Sequence, residues 1–107
     1  MNAEMLRGYT DAIILNILNR GDSYGYMVSK KISDKVNNDL EITNATIYLA
    51  FKRMEKEELI TSYWVDSDLG ARRKQYSITK KGKEYLKKKK NEWKKNKEIL
   101  DRLLGDK

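Results

Sequence analysis

Residues 45–73, ATIYLAFKRMEKEELITSYWVDSDLGARR, change hydrophobic period once, and that change leaves few folds open. In the first part, Ile47, Ala50, Phe51 and Met54 recur at the spacing of one helix face. From Leu59 the pattern alternates, with Ile60, Ser62 and Trp64 on one side of a strand and Thr61, Tyr63 and Val65 on the other. Residues 66–71 form a polar tip in which Gly70 supplies turn freedom. The return strand, Arg72 to Ile78, opens on Arg72, Arg73 and Lys74 and carries Tyr76 and Ile78. A helix that feeds directly into a hairpin with a basic return strand is the pattern of the recognition helix and wing of a winged helix-turn-helix.

The segments around this unit follow. Residues 5–19 predict a first helix whose apolar residues surround most of the cylinder, from Met5, Leu6 and Tyr9 through Ala12 to Leu18. A small local core covers one such face. The other face needs a partner subunit or the last helix of the same chain. Arg20, Gly21 and Asp22 break this helix, and Asp22 or Ser23 is the expected cap of the next. That second helix runs from about Tyr24 to Lys35, with Val28, Ile32 and Val36 spaced by four and Lys30, Lys31 and Lys35 on the polar side. Gly25 in its first turn costs helix stability, and either permits close helix packing or is simply tolerated near the helix end. After a turn at Asn37–Asp39, Leu40 to Ile42 has the pattern of a very short third strand. Thr43 or Asn44 caps the third helix. Thr79 caps the last helix, expected over Lys80 to Leu104, about 37 Å long. Leu86, Trp93 and Leu100 recur along it every seven residues, with Asn96 and Leu103 at the intervening spacing and Lys89 as an interruption.

Composition excludes several function classes. With no cysteine and no histidine among its 107 residues, the chain has no disulfide framework, no thiolate metal site and no histidine-based catalysis. Asp66 and Asp68 lack further oxygen ligands at calcium-loop spacing and read as turn formers. No nucleophile–base set or phosphate loop is present, so the expectation is a non-enzyme without cofactor or metal. Met1 to Met5 lacks the basic region of a secretion signal, and Ile13 to Leu18 is short and interrupted by Asn16. No stretch reaches membrane-spanning length, so a cytoplasmic location is expected. Residues 1–71 carry 8 Lys/Arg against 11 Asp/Glu, a net of −3, whereas residues 72–107 carry 15 against 5, a net of +10. A polyanion partner would therefore contact the second half. A lysine-rich solvated helix face is the ordinary alternative.

The candidate sites follow from these placements. Asn44 and Thr46, in the first turn of the third helix, are positioned for base edges. Tyr48, Lys52 and Arg53 on that helix, Tyr24 and Lys30 on the second, and Arg72, Arg73 and Lys74 at the base of the wing are candidates for contact with DNA, chiefly its backbone. Trp93, alone among lysines, is either an interface anchor or a stacking wall for a flat ligand. Ala12 and Asn16 of the first helix join Lys89, Trp93, Asn96, Lys97 and Leu100 of the last as dimer-interface or effector candidates.

Taken together, LRGYTDAIILNILNRGDSYGYMVSKKI, NATIYLAFKRMEKEELITSYW and GARRKQYSITKKGKEYL resemble the PadR family of bacterial transcriptional regulators over nearly the whole chain. The single last helix resembles its compact branch, typified by the lactococcal multidrug-responsive regulator. The resemblance implies a dimer joined through the first and last helices. It also implies binding to a pseudo-palindromic operator, usually as a repressor, with release by phenolic or hydrophobic compounds in some members. Tyr24, Gly25 and Tyr26 match the family's YGY signature, Thr46 and Tyr48 its Thr-x-Tyr, and Gly70, Arg72 and Arg73 its wing. Trp93 falls where the multidrug member stacks a tryptophan on flat drugs, but Lys97 stands where that member is acidic, and Lys90 or Asn91 where it is aromatic. A neutral or anionic aromatic effector therefore fits better than a cationic one.

The expected architecture is α+β and mainly α: a winged helix-turn-helix with a long C-terminal dimerisation helix. Residues 1–79 form the DNA-binding unit and residues 80–107 the dimerisation helix. The expected function is a homodimeric repressor on double-stranded DNA. The rival readings are a non-specific architectural DNA binder and a winged-helix protein-interaction module without effector response.

Overall fold

The computed structural model describes residues 8–40, 42–67 and 69–105. Its elements are α1 (Thr10–Leu18), α2 (Gly25–Lys35), α3 (Asn44–Lys56), β1 (Ile60–Asp66), β2 (Arg72–Ile78) and α4 (Lys80–Leu104). The fold is α+β and mainly helical, a winged helix-turn-helix with a hairpin wing and a long C-terminal helix. Met5, Leu6 and Asp68 lie outside the described residues.

One apolar cluster joins the elements. Ile14, Leu15 and Leu18 of α1 meet Val28 and Ile32 of α2, and Ile47, Phe51 and Met54 of α3. Phe51 stacks on Tyr76 of β2 with ring centroids 3.9 Å apart, so the recognition-helix position is tied to the wing through buried aromatic surface. Leu86 brings the first turns of α4 into the same cluster. The described part of α1 starts later than the sequence pattern, with Tyr9 as N-cap, and one flank is covered by its own chain's last helix. Tyr85 packs on the core there, and Asn96 Nδ2 donates to the Tyr9 hydroxyl at 3.3 Å.

Both threonine caps are in place. Thr43 Oγ1 accepts from the Thr46 N–H at 3.2 Å and Thr79 Oγ1 from the Gly82 N–H at 3.0 Å, each satisfying an otherwise orphaned donor. Asn37 and Asn38 close α2 in the left-handed region, which asparagine tolerates, and the Asn38 N–H reaches back to the Ser33 carbonyl at 2.8 Å. Glu58 does the same after α3 with φ +63°, without asparagine's or glycine's ease there.

Two local expectations are corrected. The hairpin pairs from Ile60↔Ile78 to Asp66↔Arg72, and among the described residues its third partner is Ser23 and neither Leu40 nor Ile42. Ser23 bridges Tyr76, with N–H to carbonyl distances of 3.2 and 2.7 Å in the two directions. Leu40 and Ile42 instead bury their side chains in the core, while Glu41 lies outside the described residues. Nor does Asp22 or Ser23 cap α2. Tyr24 holds the N-cap position without a side-chain bond, because the Ser23 backbone is engaged with Tyr76 and Asp22 accepts from the Tyr63 hydroxyl.

Candidate nucleic-acid interface

Three pieces meet at one end of the domain. The start of α2 approaches α3 closely because residue 25 has no side chain. A Cβ at Gly25 would lie 2.7 Å from Tyr48 Cζ, so the Tyr48 ring occupies the space above the α2 backbone. The residue before, Tyr24, is half-buried, and the Arg73 guanidinium lies 4.0 Å over its ring centroid. Arg73 of the wing is thereby held beside the start of α2. The hydrogen bond from Tyr63 to Asp22 fixes the same wing to the α1–α2 turn, and it holds the Tyr63 phenol above its usual range.

The other wing cations are also supported. Arg72 lies 5.2 Å over the Trp64 ring and 3.8 Å from Asp66, an exposed ion pair that contributes little by itself. Lys74, midway along the wing, lies 5.9 Å from Trp64 and 3.9 Å from Glu55 of α3. Trp64 as a platform for two cations escaped the sequence reading. The register Trp64↔Lys74 contained the signal.

The α3 candidates divide between its two flanks. Tyr48, half-exposed, faces α2, and by helical spacing Asn44 and Lys52 lie on that side. Thr46 and Arg53 face the other way, into a hollow shared with Asp11, Tyr85 and Lys89. Arg53 pairs there with Asp11 of α1, and Thr46 is engaged with Thr43. Lys30 is exposed on the polar side of α2. Ala45 and Leu49, both exposed, occupy the outer face, and Leu49 also lines the hollow beside Thr46 and Arg53.

The effector or dimer candidates do not converge within one chain. Ala12 packs on the core and Asn16 lines a cleft between α1 and α2 with Arg20 and Lys31. Lys89 binds Glu92 at 3.3 Å, and that hydrogen bond together with the Tyr85 hydroxyl holds its ammonium pKa above the usual value. Trp93 is 50% exposed, with Lys97 Nζ 6.0 Å from its ring. Leu100 is 53% exposed, and Ile99, Leu103 and Leu104 extend the same exposed apolar surface. Asn96 is the member that reaches α1's end of the fold, through Tyr9. Among the described residues no helix is long and apolar enough to cross a membrane.

A family model described as the transcriptional regulator PadR-like family matches residues 14–88. An uncharacterized protein of Lysinibacillus sphaericus is 43% identical over 104 residues, which is 97% of this chain and 95% of that protein. Among solved structures, a transcriptional regulator from Clostridium thermocellum superposes with a TM-score of 0.87 at 40% identity, covering 95% of this chain and 96% of that one. A PadR family transcription regulator from Clostridium difficile gives a TM-score of 0.78 at 39% identity, covering 91% of this chain and 99% of the other.

Proposed function

Because this chain belongs to the PadR-like family of transcriptional regulators, we propose that it is a homodimeric repressor that reads a pseudo-palindromic operator in double-stranded DNA. The observation that carries this reading is the locked assembly of α2, α3 and wing. Tyr48 over Gly25 and Arg73 over Tyr24 hold an exposed helix face and a cationic hairpin in one rigid relation. A helix so presented enters the major groove, while Arg72 and Arg73 meet flanking phosphates.

In this proposal residues 1–79 bind DNA and residues 80–107 dimerise. Asn44 and Thr46 approach base edges, and Tyr24, Lys30, Tyr48, Lys52, Arg53 and Lys74 supply backbone contacts or the positive field around them. Two α3 helices stand about one DNA turn apart, roughly 34 Å. Ala12, Asn16, Lys89, Trp93, Asn96, Lys97 and Leu100 belong to the dimer face, where a neutral or anionic aromatic compound beside Trp93 would relieve repression. The lysines along α4 favour that charge class, and the compound would act by shifting the population between two dimer shapes.

The test is enrichment of a randomised duplex library at about 150 mM salt. An inverted repeat with half-sites about ten base pairs apart is expected. Retention that vanishes as salt rises, with no enriched motif, would replace the repressor with a binder of charge alone. On the enriched duplex, Arg73→Ala should weaken binding about three- to tenfold across sequences and reduce the salt slope by about one contact. An unchanged slope over several salt concentrations would remove the wing from the interface.

A further inference from the structure

Helix α3 carries more apolar residues than its core contact uses. Ile47, Ala50, Phe51 and Met54 are buried, whereas Leu49 is 65% exposed and takes no part in the core cluster. Helical geometry puts Leu49 nearly opposite Phe51 and one turn beyond exposed Ala45. In chain order the outer strip reads Ala45, Leu49, Lys52, Lys56, apolar for its first two turns and cationic for its last.

An isolated exposed leucine ordinarily needs no explanation. This one differs in its neighbours. Arg53 beside it pairs with Asp11, Tyr48 packs over the α2 backbone at Gly25, and Thr46, bonded to Thr43, shares with Leu49 and Arg53 the hollow beside Asp11. Between these neighbours, the outward strip formed by Ala45 and Leu49 on the N-terminal half of α3 is hydrocarbon. In the major groove the thymine C5-methyl is the apolar feature among base edges that otherwise present donors and acceptors. Over a thymine, Leu49 gains a methyl contact. Over the N4 amino group of cytosine or the N7 and O6 of guanine, it would displace water without replacing the hydrogen bonds, which is unfavourable. The same side chain thus favours one base and disfavours others.

We infer that Leu49, with Ala45 beside it, is a specificity-determining residue that reads a thymine C5-methyl in each operator half-site. The inference rests on the proposed insertion of α3 into DNA. It assigns base selection to two side chains that have no hydrogen-bonding group.

The experiment starts from the duplex enriched by the wild-type protein. Each thymine is replaced in turn by deoxyuridine, which removes only the C5-methyl. Binding is measured for wild type and for Leu49→Ala, whose melting temperature should match wild type because the site is exposed. At one thymine per half-site the wild type should lose about fourfold, the value of one buried methyl group, and Leu49→Ala should show no loss at that position. Half-sites that contain no thymine would overturn the inference. So would deoxyuridine that is harmless at every position, or equally harmful to both proteins. In those cases an enriched motif still leaves the DNA-reading proposal standing. Failure of the wild type to enrich any motif overturns both.

Discussion

Gly82→Ala should destabilise the domain by about 2 kcal/mol, lowering its melting temperature by roughly 8–16 °C. Gly82 is buried in the first turn of α4, where a Cβ would lie 2.2 Å from the Leu59 carbonyl oxygen and 2.8 Å from Ile78 Cγ1. The carbonyl cannot move aside cheaply. It already accepts from the Thr79 N–H at 3.0 Å, and the neighbouring Glu58 carbonyl accepts from the Thr79 hydroxyl at 2.7 Å. Relief therefore requires α4 to swing away from the root of the wing, loosening Leu86 from the core. Alanine's helix propensity returns at most about 1 kcal/mol, too little to offset a clash with backbone. Thermal melts by circular dichroism measure the effect. An unchanged or raised midpoint would mean that α4 does not approach Leu59 this closely.

Combining Trp93→Ala with Leu100→Ala should convert the protein to a monomer and weaken binding to the enriched duplex by about 100-fold. The reason is loss of the second, tethered half-site contact. Beyond Leu86 the described part of α4 buries no residue fully, although Trp93, Ile99, Leu100, Leu103 and Leu104 leave a run of apolar surface exposed. Residues 80–97 also hold ten lysines and two glutamates, and like charges one turn apart oppose a free helix. In the proposed dimer, a second copy covering the apolar seam would offset that repulsion. Sedimentation velocity and duplex titration on the same preparation check both halves of the prediction. A double variant that sediments as wild type would show that Trp93 and Leu100 do not hold the dimer. Monomers that bind the duplex as tightly as wild type would remove the two-half-site geometry.

Much of the fold was legible because its signals are local. The change of period between Met54 and Ile60 announced α3 and β1, and Thr43 and Thr79 announced two helix starts through hydrogen bonds spanning three residues. The long α4 and the wing's basic return strand were legible for the same reason. The failures are equally specific. A single bridge such as Ser23↔Tyr76 uses one residue's backbone and has no alternation to reveal it, whereas Leu40 and Ile42 alternate because both turn into the core. Asp22 looked like a cap because capping is common for aspartate before a helix, but Tyr63 lies 41 positions away and claims it.

The candidate interface divides in the same way. Residue type and helix position alone put Asn44 and Thr46 in the first turn of α3, Tyr48 and Lys52 on its outer side, and Arg72 and Arg73 on the wing. Periodicity could not show that Arg53 turns to Asp11, 42 residues away, or that Arg73 settles over Tyr24. Those choices depend on which side chains the packed core brings within reach. Nor could it distinguish Gly82, pressed against a carbonyl, from a glycine in open space such as Gly70. The sequence by itself determined α3, the hairpin and α4, the threonine caps of the two helices and the uneven charge, because each is set by residues within a turn or two of one another. Only the tertiary structure decided which cations are tethered, which glycine is irreplaceable and which leucine is left outside, because those depend on the separation of atoms far apart in the chain.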